Sequence, residues 1–321
     1  MEARKEMLVV SIMLILAVIT NAAQLGSDGY ADRVIVRDDG NGNALWYVDQ
    51  SGPDGFGDGQ ADLVGGFGLM TDRHMVGDVN GDGYADRVLG RYNTAGYWVY
   101  WASFSSSTGF GDGADTNGSF GGTGLVPYAV ADLDGDGLAD RIGTSIDGSN
   151  NRNYVANKTG VGGTFTTGGG DWQKYWGGTN TSLAGMFDVN NDGYTDRVDA
   201  FNNNWRVDFG PSSGGFGDSA TDWTGYFGGT GDNITRHIGD VNNDGYGDRI
   251  LATLNGEGNY DWIASFTTPA GFGTAGVEYN QLAPFGQTGD VVILHDVLVP
   301  EPATIALLAF GGLGAVIKRK K

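Results

Sequence analysis

The chain has 321 residues, no cysteine and 58 glycines, and its 39 acidic residues outnumber 19 basic ones, which gives a formal net charge of −20. A surface this acidic argues against nucleic acid or an anionic membrane as the partner, because both carry negative charge. Without cysteine no disulfide can hold the fold together. Aromatic residues make up 12% of the chain, enough for an apolar core, so a disordered chain is a poor interpretation.

Residues 1–23 have the pattern of a secretory signal peptide. Two basic residues precede an apolar run at residues 7–19, and small residues end it at Ala22 and Ala23. A membrane anchor is the alternative, but this run is shorter than the roughly 20 apolar residues of a spanning helix. We therefore expect cleavage after Ala22 or Ala23.

An acidic sequence motif then repeats along the chain. It reads Asp-x-Asn-Gly/Asn-Asp-Gly-Tyr-x-Asp-Arg at Asp78–Arg87, Asp188–Arg197 and Asp240–Arg249, with a close variant at Asp132–Arg141 and a degenerate copy at Gln24–Arg33. The copies start at residues 24, 78, 132, 188 and 240, so successive starts lie 54, 54, 56 and 52 residues apart. A fixed period of this size predicts a repeat architecture.

Each repeat holds four short apolar or aromatic segments separated by glycine-rich turns, and only the two chain ends resemble helices. Four-stranded units arranged around an axis form a β-propeller, which protects its sheet edges by closing radially. The sequence therefore predicts an all-β fold, a five-bladed β-propeller over residues 24–296. A linear β-solenoid or a string of small domains is the alternative.

The last segment of the repeat region predicts how the ring closes. Val291–Asp296 matches the strand that precedes each acidic loop, whereas the first repeat begins at Gln24 and lacks that strand. We expect the C-terminal strand to complete the first blade. Asp296 would then reach the first loop, which keeps Asp28 and Asp32 but lacks its opening aspartate.

The oxygen-bearing residues of the loops are spaced as calcium requires, since this ion takes about six to eight oxygen ligands from a flexible cage. The expected donors are Asp at loop positions 1, 5 and 9, Asn or Asp at position 3, and the backbone carbonyl at position 7. The predicted ligands are Asp78, Asn80, Asp82, Tyr84 and Asp86; Asp132, Asp134, Asp136, Leu138 and Asp140; Asp188, Asn190, Asp192, Tyr194 and Asp196; Asp240, Asn242, Asp244, Tyr246 and Asp248; and Asp28, Asp32 and Asp296.

The loop sequence has two other interpretations. The loops are not EF-hand loops, because position 12 lacks the expected glutamate and no helices are predicted beside the loop. A hydrogen-bonded Asx turn without metal is the structural alternative. Four full copies at one period favour calcium, because clustered carboxylates repel one another without a cation. The loop Asp132–Asp140 has a fourth carboxylate, Asp134, and should bind calcium most tightly.

The acidic loops resemble those of FG-GAP and VCBS repeats, the integrin-α-type propeller modules, over residues 24–296. The resemblance implies a calcium-binding β-propeller, although five blades are fewer than the seven of integrin-type propellers. One departure is consistent, since an arginine follows the last loop aspartate where the family usually has an apolar residue. These arginines are Arg33, Arg87, Arg141, Arg197 and Arg249. We expect each to pair with a carboxylate of the same or the next loop; an anion site in the central channel is the alternative.

No catalytic site is apparent in the sequence. Some five-bladed propellers are glycosidases, which need two carboxylates across a sugar, and the glutamates between the chain ends are Glu257 and Glu278. The histidines, His74, His237 and His295, each fall in the strand before a loop, and no nucleophile motif accompanies them. We therefore predict no catalytic residues, with a secreted glycan-active enzyme, a glycosidase or lyase, as the alternative.

Residues 297–321 resemble the PEP-CTERM sorting signal. A Pro-Glu-Pro motif at Pro300–Pro302 is followed by an apolar stretch, Ala303–Ile317, and a basic tail, Lys318–Lys321. The resemblance implies a Gram-negative bacterium, processing by an exosortase-type enzyme, and release to the exterior or to an exopolysaccharide matrix. A plain tail anchor is the alternative, but the apolar stretch is short for one.

These features together predict a secreted, calcium-stabilised, monomeric module for binding or adhesion at the outer cell envelope or in an extracellular polysaccharide matrix. The expected partners are an extracellular polysaccharide or a cell-surface protein, and not nucleic acid. Four tryptophans are candidates for platforms that stack on sugars: Trp46, Trp98, Trp101 and Trp172.

Overall fold

The described part of the chain, residues 28–229, 234–273, 279–280 and 284–295 of a computed structural model, forms a ring of five four-stranded antiparallel sheets. These residues contain no helix. The prediction of an all-β, five-bladed propeller is therefore confirmed. The predicted signal peptide and the C-terminal segment lie outside the described residues.

The strands have the following bounds. The first two repeats contain β1 (Asp32–Asp38), β2 (Asn43–Asp49), β3 (Leu63–Leu69), β4 (Arg73–Gly77), β5 (Asp86–Tyr92), β6 (Tyr97–Ser103) and β7 (Thr116–Gly122). The third adds β8 (Val126–Ala131), β9 (Asp140–Ile146), β10 (Asn151–Asn157), the short pair β11 (Thr159–Gly160) and β12 (Thr164–Phe165), and β13 (Trp172–Gly178). The remainder contains β14 (Ser182–Phe187), β15 (Asp196–Phe201), β16 (Asn204–Asp208), β17 (Trp223–Tyr226), β18 (Ile234–Gly239), β19 (Asp248–Leu254), β20 (Tyr260–Ser265), the short pair β21 (Thr267–Thr268) and β22 (Gly271–Phe272), β23 (Tyr279–Asn280) and β24 (Val291–His295).

Each blade takes its innermost strand from the segment just before an acidic loop. Blades II to V have the strand orders β4-β5-β6-β7, β8-β9-β10-β13, β14-β15-β16-β17 and β18-β19-β20-β23. Blade I has the order β24-β1-β2-β3, so its innermost strand comes from the far end of the chain. The strand β24 pairs antiparallel with β1, from His295 opposite Asp32 to Val291 opposite Val36. Closure by the C-terminal strand follows from this pairing.

The innermost strands contact one another in ring order. The strand β4 contacts β8, β8 contacts β14, β14 contacts β18, and β24 contacts both β18 and β4. A linear solenoid or a string of separate domains would leave β24 without one of these two neighbours. Both alternatives are therefore wrong.

The core consists of apolar clusters between neighbouring blades. One cluster joins Ile35 of blade I to Ile250 and Trp262 of blade V, and another joins Trp205 and Val207 of blade IV to Leu251 of blade V. The aromatic residue of each third strand is almost fully buried: Trp46, Tyr100, Tyr154, Trp205 and Trp262. The proposal of Trp46 as a sugar platform is therefore wrong, because its ring is core.

Five buried arginines cross the boundaries between blades. Each guanidinium lies between two aromatic rings, one from its own blade and one from the preceding blade. In blade II the guanidinium carbon of Arg87 lies 4.3 Å from the ring centroid of Phe110 and 5.2 Å from that of Phe67. The equivalent sets are Arg33 with Phe56 and Phe285, Arg141 with Phe165 and Phe120, Arg197 with Phe216 and Trp176, and Arg249 with Phe272 and Phe227.

These contacts are cation–π interactions, which are worth about 2 kcal/mol when they are desolvated. Burial lowers the pKa of Arg87 and of Arg141 to about 10, so both guanidinium groups remain charged at neutral pH. Because one ring always belongs to the neighbouring blade, each arginine resists separation of two blades. The set includes Arg33 with Phe285, so the boundary that closes the ring has the same contact as the other four.

The hydrogen-bond partners of these arginines differ from the expectation. The side chain of Arg197 donates to Asp208 on β16, and those of Arg87 and Arg141 donate to the neutral side chains of Ser103 and Asn157. Pairing with a loop carboxylate is therefore wrong for these three. The reason is strand register, because each partner lies directly opposite its arginine on the next strand. The alternative of a channel anion site is also wrong for these arginines, which are packed between blades.

We expect Arg197→Met to lower the free energy of unfolding more than Arg87→Met. The first change leaves the buried carboxylate of Asp208 without its cation, at a cost of about 3–5 kcal/mol. The second leaves a neutral serine and should cost about 2 kcal/mol. Denaturant unfolding of both variants measures the difference. The double variant Arg197→Met/Asp208→Asn should recover part of the loss, and equal losses for the two single variants would contradict the assignment.

A chain that ends at Asp290 lacks β24 and should aggregate, because β1 and the neighbouring blades then expose a sheet edge and apolar surface. The control is a chain that ends at Val297, which keeps β24 and lacks only the predicted sorting segment. Size-exclusion chromatography and thermal melting compare the two proteins. A soluble, monomeric chain ending at 290 with the control's melting temperature would contradict closure by β24.

Candidate metal centres

In blades II to V an acidic loop connects the innermost strand to the next strand. In the second loop the carboxylate of Asp78, at position 1, accepts N–H groups of Gly81 (2.7 Å) and Gly83 (2.8 Å). The side-chain amide of Asn80 donates to Asp82 at 3.1 Å. The position-1 carboxylate also accepts backbone N–H groups in the third, fourth and fifth loops, which gives four similar folded loops.

Left-handed backbone at two positions makes this turn possible. Gly83, at position 6, has a φ of 86°, as expected from the sequence. Position 4 is also left-handed, with φ values of 77° at Gly81, 59° at Asn191 and 57° at Asn243. Glycine and asparagine are the residues that tolerate this conformation best. Sequence reasoning missed position 4, although its alternation between these two residues was the signal.

The aspartate at position 9 fastens the loop to the blade. Asp86 is fully buried, and its carboxylate accepts the N–H of Val79 inside the loop (2.9 Å) and the N–H of Ser105 after β6 (2.7 Å). The same pair of contacts is made by Asp140, Asp196 and Asp248. Burial raises the pKa of Asp86 to about 8 although both N–H groups oppose the shift. A structural role is thus visible for position 9, and its role as a calcium ligand stays a prediction.

The third loop gathers three carboxylates. Each of Asp132, Asp134 and Asp136 offers an oxygen, and these oxygens lie within 4.8 Å of one another. Ligand oxygens at about 2.3–2.6 Å from one calcium ion can be at most about 5.2 Å apart, so this spacing fits the ion. One oxygen of Asp134, Oδ1, is buried and has no hydrogen-bond partner within the described part of the chain. The donor set and this unpartnered acceptor both suit a hard divalent cation.

A lysine already contacts this cluster. The ammonium of Lys158 pairs with Oδ2 of Asp134 and lies 5.2 Å from the ring centroid of Trp172. A cation in the third loop would share Asp134 with this ammonium. By charge count alone, the fourth carboxylate, Asp134, favours the tightest calcium binding in this loop. The ammonium of Lys158 would compete with calcium for that carboxylate.

The first loop is only partly described. Oδ1 of Asp28 accepts the N–H of Tyr30 at 3.1 Å, and Asp32 accepts the N–H of Ser51 at 2.9 Å. Asp296 lies outside the described residues, so its place beside Asp28 and Asp32 stays a prediction. The neighbouring residue His295 is paired with Asp32 across β24 and β1.

Neighbouring loops contact one another around the ring. In three described loops the residue at position 8 donates a hydrogen bond to the position-1 carbonyl of the preceding loop: Ala31 to Asp240 (2.7 Å), Ala139 to Asp78 (2.7 Å), and the Thr195 hydroxyl to Asp132. At these three boundaries the acidic loops are therefore joined into a band on one face of the propeller.

The other candidate residues lie in ordinary structural settings. His74 bonds the carbonyl of Leu69 and meets the Trp46 ring edge-on, and His237 stacks on Trp262, in keeping with strand residues. Glu257 is exposed in the hairpin between β19 and β20. Glu278 and the side chain of His295 lie outside what the structure describes. Trp98, Trp101 and Trp172 are half-buried.

Comparisons with known proteins concern the C-terminus and the fold. Residues 298–320 match the model of the PEP-CTERM protein-sorting motif. This motif implies a secreted bacterial protein that associates with the cell envelope and is processed by an exosortase-type enzyme. Among the described residues no helix has the length and hydropathy to cross a membrane.

A comparison with curated proteins found no match. Among solved structures, a chain of the Photorhabdus luminescens Tc holotoxin pore is similar at 17% identity and a TM-score of 0.35 over 79% of this chain. The likeness covers 14% of that chain, so the present protein spans a small part of its length.

We expect Asp86→Asn to destabilise the protein even in a chelator, because an asparagine cannot accept both N–H groups of Val79 and Ser105. A buried N–H without an acceptor costs about 1–3 kcal/mol. The matched change Asp82→Asn affects an exposed carboxylate of the same loop and should alter stability by no more than about 0.5 kcal/mol under the same conditions. Denaturant unfolding in EDTA measures both. Equal effects would contradict the structural role of position 9.

Proposed function

We propose that this protein is a secreted, calcium-stabilised propeller that acts as a non-catalytic binding or adhesion module at the cell envelope of a Gram-negative bacterium or in its extracellular polysaccharide matrix. The observation that carries the proposal is the band of acidic loops, with three carboxylates of the third loop in reach of one cation. The sorting motif at residues 298–320 supports the location.

Calcium would act here as a structural clamp. In blades II to V the loops lie between the innermost strand and the second strand, and neighbouring loops are hydrogen-bonded at three boundaries. A cation in a loop would neutralise carboxylates that otherwise repel one another. The hydrogen bonds of the loops are also those of an Asx turn, so the metal and the metal-free interpretations must be separated by measurement.

The binding role rests on the rigid ring and on its surface. Exposed Tyr97 and half-buried Trp101 lie on one face of the strand β6 of blade II, and half-buried Trp98 lies on the other face. Amphipathic rings of this kind supply contact area on one face and a polar edge on the other. Polysaccharide chains and cell-surface proteins both suit such a surface. A glycan array with the mature chain, run beside a glycosidase substrate panel, tests the role; binding without turnover supports it, and turnover contradicts it.

Calcium should raise the melting temperature of the mature chain, and EDTA should lower it. Metal that binds only the folded state adds about 2.7 kcal/mol per site at a hundredfold excess over Kd. Asp82→Asn should reduce the calcium-dependent part of the stability and leave the stability in EDTA almost unchanged. The control is Asp39→Asn, which alters an exposed Asx-turn carboxylate outside the acidic loops. An identical melt with and without EDTA, together with no bound calcium by elemental analysis, would overturn the calcium proposal.

A further inference from the structure

A polar cleft lies at the boundary between blades III and IV. Its volume of about 540 Å³ is within the range of small-molecule sites, roughly 300–1,000 Å³. Blade III contributes the end of β13 and the hairpin residues Asn150 and Asn151, which lie at the end of the blade away from its acidic loop. Blade IV contributes Arg206 on β16 together with Ser219 and Thr221. None of these described lining residues belongs to an acidic loop or to β6, so the cleft is a separate surface.

The cleft lies where the repeats differ from one another. In blade IV one cross-strand pair of the second and third strands has Asp199 opposite Arg206. The equivalent pairs of the other blades carry no charge: Ile35 with Tyr47, Leu89 with Trp101, Gly143 with Val155, and Leu251 with Ile263. The ring that the preceding blade places against the interblade arginine is Trp176 at this boundary and a phenylalanine at the other four: Phe67, Phe120, Phe227 and Phe285. Since four boundaries form without these residues, the fold itself does not require them.

Arg206 and Trp176 both present unused hydrogen-bond donors. The Nε and Nη2 groups of Arg206 donate to the fully buried carboxylate of Asp199, at 2.8 and 2.5 Å. Within the described part of the chain its Nη1 group and the indole N–H of Trp176 make no hydrogen bond, and both are accessible to solvent. The indole N–H groups of Trp46 and Trp205, by contrast, each donate to a backbone carbonyl. The guanidinium carbon of Arg206 lies 5.3 Å from the ring centroid of Trp176, so one bound molecule can reach both donors.

The other lining residues suit a neutral molecule that is rich in hydroxyl groups. The amides of Asn150 and Asn180 and the hydroxyls of Thr179 and Ser219 can each donate and accept hydrogen bonds. The ring of Tyr175 is 47% exposed and offers an apolar face with a polar edge. A sugar has the complementary surface, because its hydroxyl groups donate and accept hydrogen bonds and the C–H faces of its ring are apolar.

The charges at the cleft also favour a neutral ligand. None of its twelve lining residues, all of them in the described part of the chain, is an aspartate, a glutamate or a lysine. The charge of Arg206 is balanced by Asp199 behind it. The cleft therefore has no free cation to attract an acidic ligand, and the net charge of −20 on the chain would repel one.

We propose that this cleft binds a neutral oligosaccharide segment of a polysaccharide. Trp176 and Arg206 donate hydrogen bonds to its hydroxyl groups, Tyr175 stacks on a sugar ring, and Asp199 positions the guanidinium. The proposal rests on the binding role proposed above and gives that role a ligand class and a place in the fold. The cleft does not depend on calcium in the acidic loops, so the calcium proposal can fail without it.

A glycan array with the mature chain identifies the sugar, and isothermal titration calorimetry measures its affinity. The probes are neutral tetrasaccharides of glucose, mannose, galactose, xylose and N-acetylglucosamine in α and β linkages, with a tetrasaccharide of glucuronate as the acidic comparison. At least one neutral tetrasaccharide should bind without turnover. The acidic one should bind more weakly, because the net charge of the chain repels it and the guanidinium of Arg206 is already paired.

Two variants copy what other blades already contain. Trp176→Phe installs the residue of the other four boundaries and removes only the indole donor, so affinity should fall about threefold to tenfold. Asp199→Leu/Arg206→Ile installs the uncharged pair of blade V and should lower affinity at least about tenfold. Leucine fits there, because Leu251 lies beside Gly228 as Asp199 lies beside Gly177. Replacement of a buried ion pair by apolar residues is often neutral or stabilising, so the melting temperature should stay equal or rise.

The stacking contact is tested by a matched pair of tyrosine variants. Tyr175→Ala should weaken binding, because it removes the exposed ring of the cleft. Tyr226→Ala removes a tyrosine of similar exposure on β17, outside the cleft, and should leave the affinity unchanged. If the double variant unfolds, Trp176→Phe decides, since it keeps an aromatic ring beside Arg197.

Three results would overturn the proposal: no neutral tetrasaccharide binds, the acidic tetrasaccharide binds more tightly than every neutral one, or Trp176→Phe and the folded double variant both bind as the parent does. In the third case Tyr97→Ala separates this proposal from the binding role. Loss of binding in Tyr97→Ala would move the glycan site to β6 and leave the proposed role intact. Turnover of a bound glycan would instead contradict the proposed role itself.

Discussion

The stacking of an arginine between aromatic rings of two blades is the contact on which the ring depends. The described sheets share no disulfide and no helix, so the boundaries between blades are held by side-chain contacts and by a few backbone hydrogen bonds between neighbouring loops. A guanidinium suits this boundary because its flat faces stack on rings and its edge carries several N–H donors. An apolar residue at the same place would pack, but it could not also donate hydrogen bonds to the backbone carbonyls of Gly66 and Gly111, as Arg87 does.

The loop and the blade boundary are joined through two consecutive residues. Asp86 ends the acidic loop and fixes it to the blade by two backbone hydrogen bonds, and Arg87 reaches into the neighbouring blade. Any displacement of the loop therefore acts on the next interblade contact through a single peptide bond. This arrangement gives a physical reason for an acidic loop to matter to the stability of the ring beyond its own few residues.

The number of blades and the closing strand could be predicted because a period of 52–56 residues and a missing first strand are both visible in the sequence. The hydrogen-bond partners of the arginines could not be predicted. Strand register places Arg87 opposite Ser103, and no local sequence pattern indicates that pairing. The burial of Trp46 could not be predicted either, since the sequence of a strand does not distinguish an aromatic residue in the core from one on the surface.

The pairing of β24 with β1 also determines the order of events in folding. Residues about 260 positions apart must meet before blade I has its fourth strand, and contacts at such separations form slowly because loop-closure entropy opposes them. Blades II to IV can form their sheets from neighbouring segments while synthesis or export continues. Blade I must wait for the end of the chain, where the sorting motif begins three residues after β24. Completion of blade I and recognition of the sorting motif therefore involve segments that only Asp296 and Val297 separate along the chain.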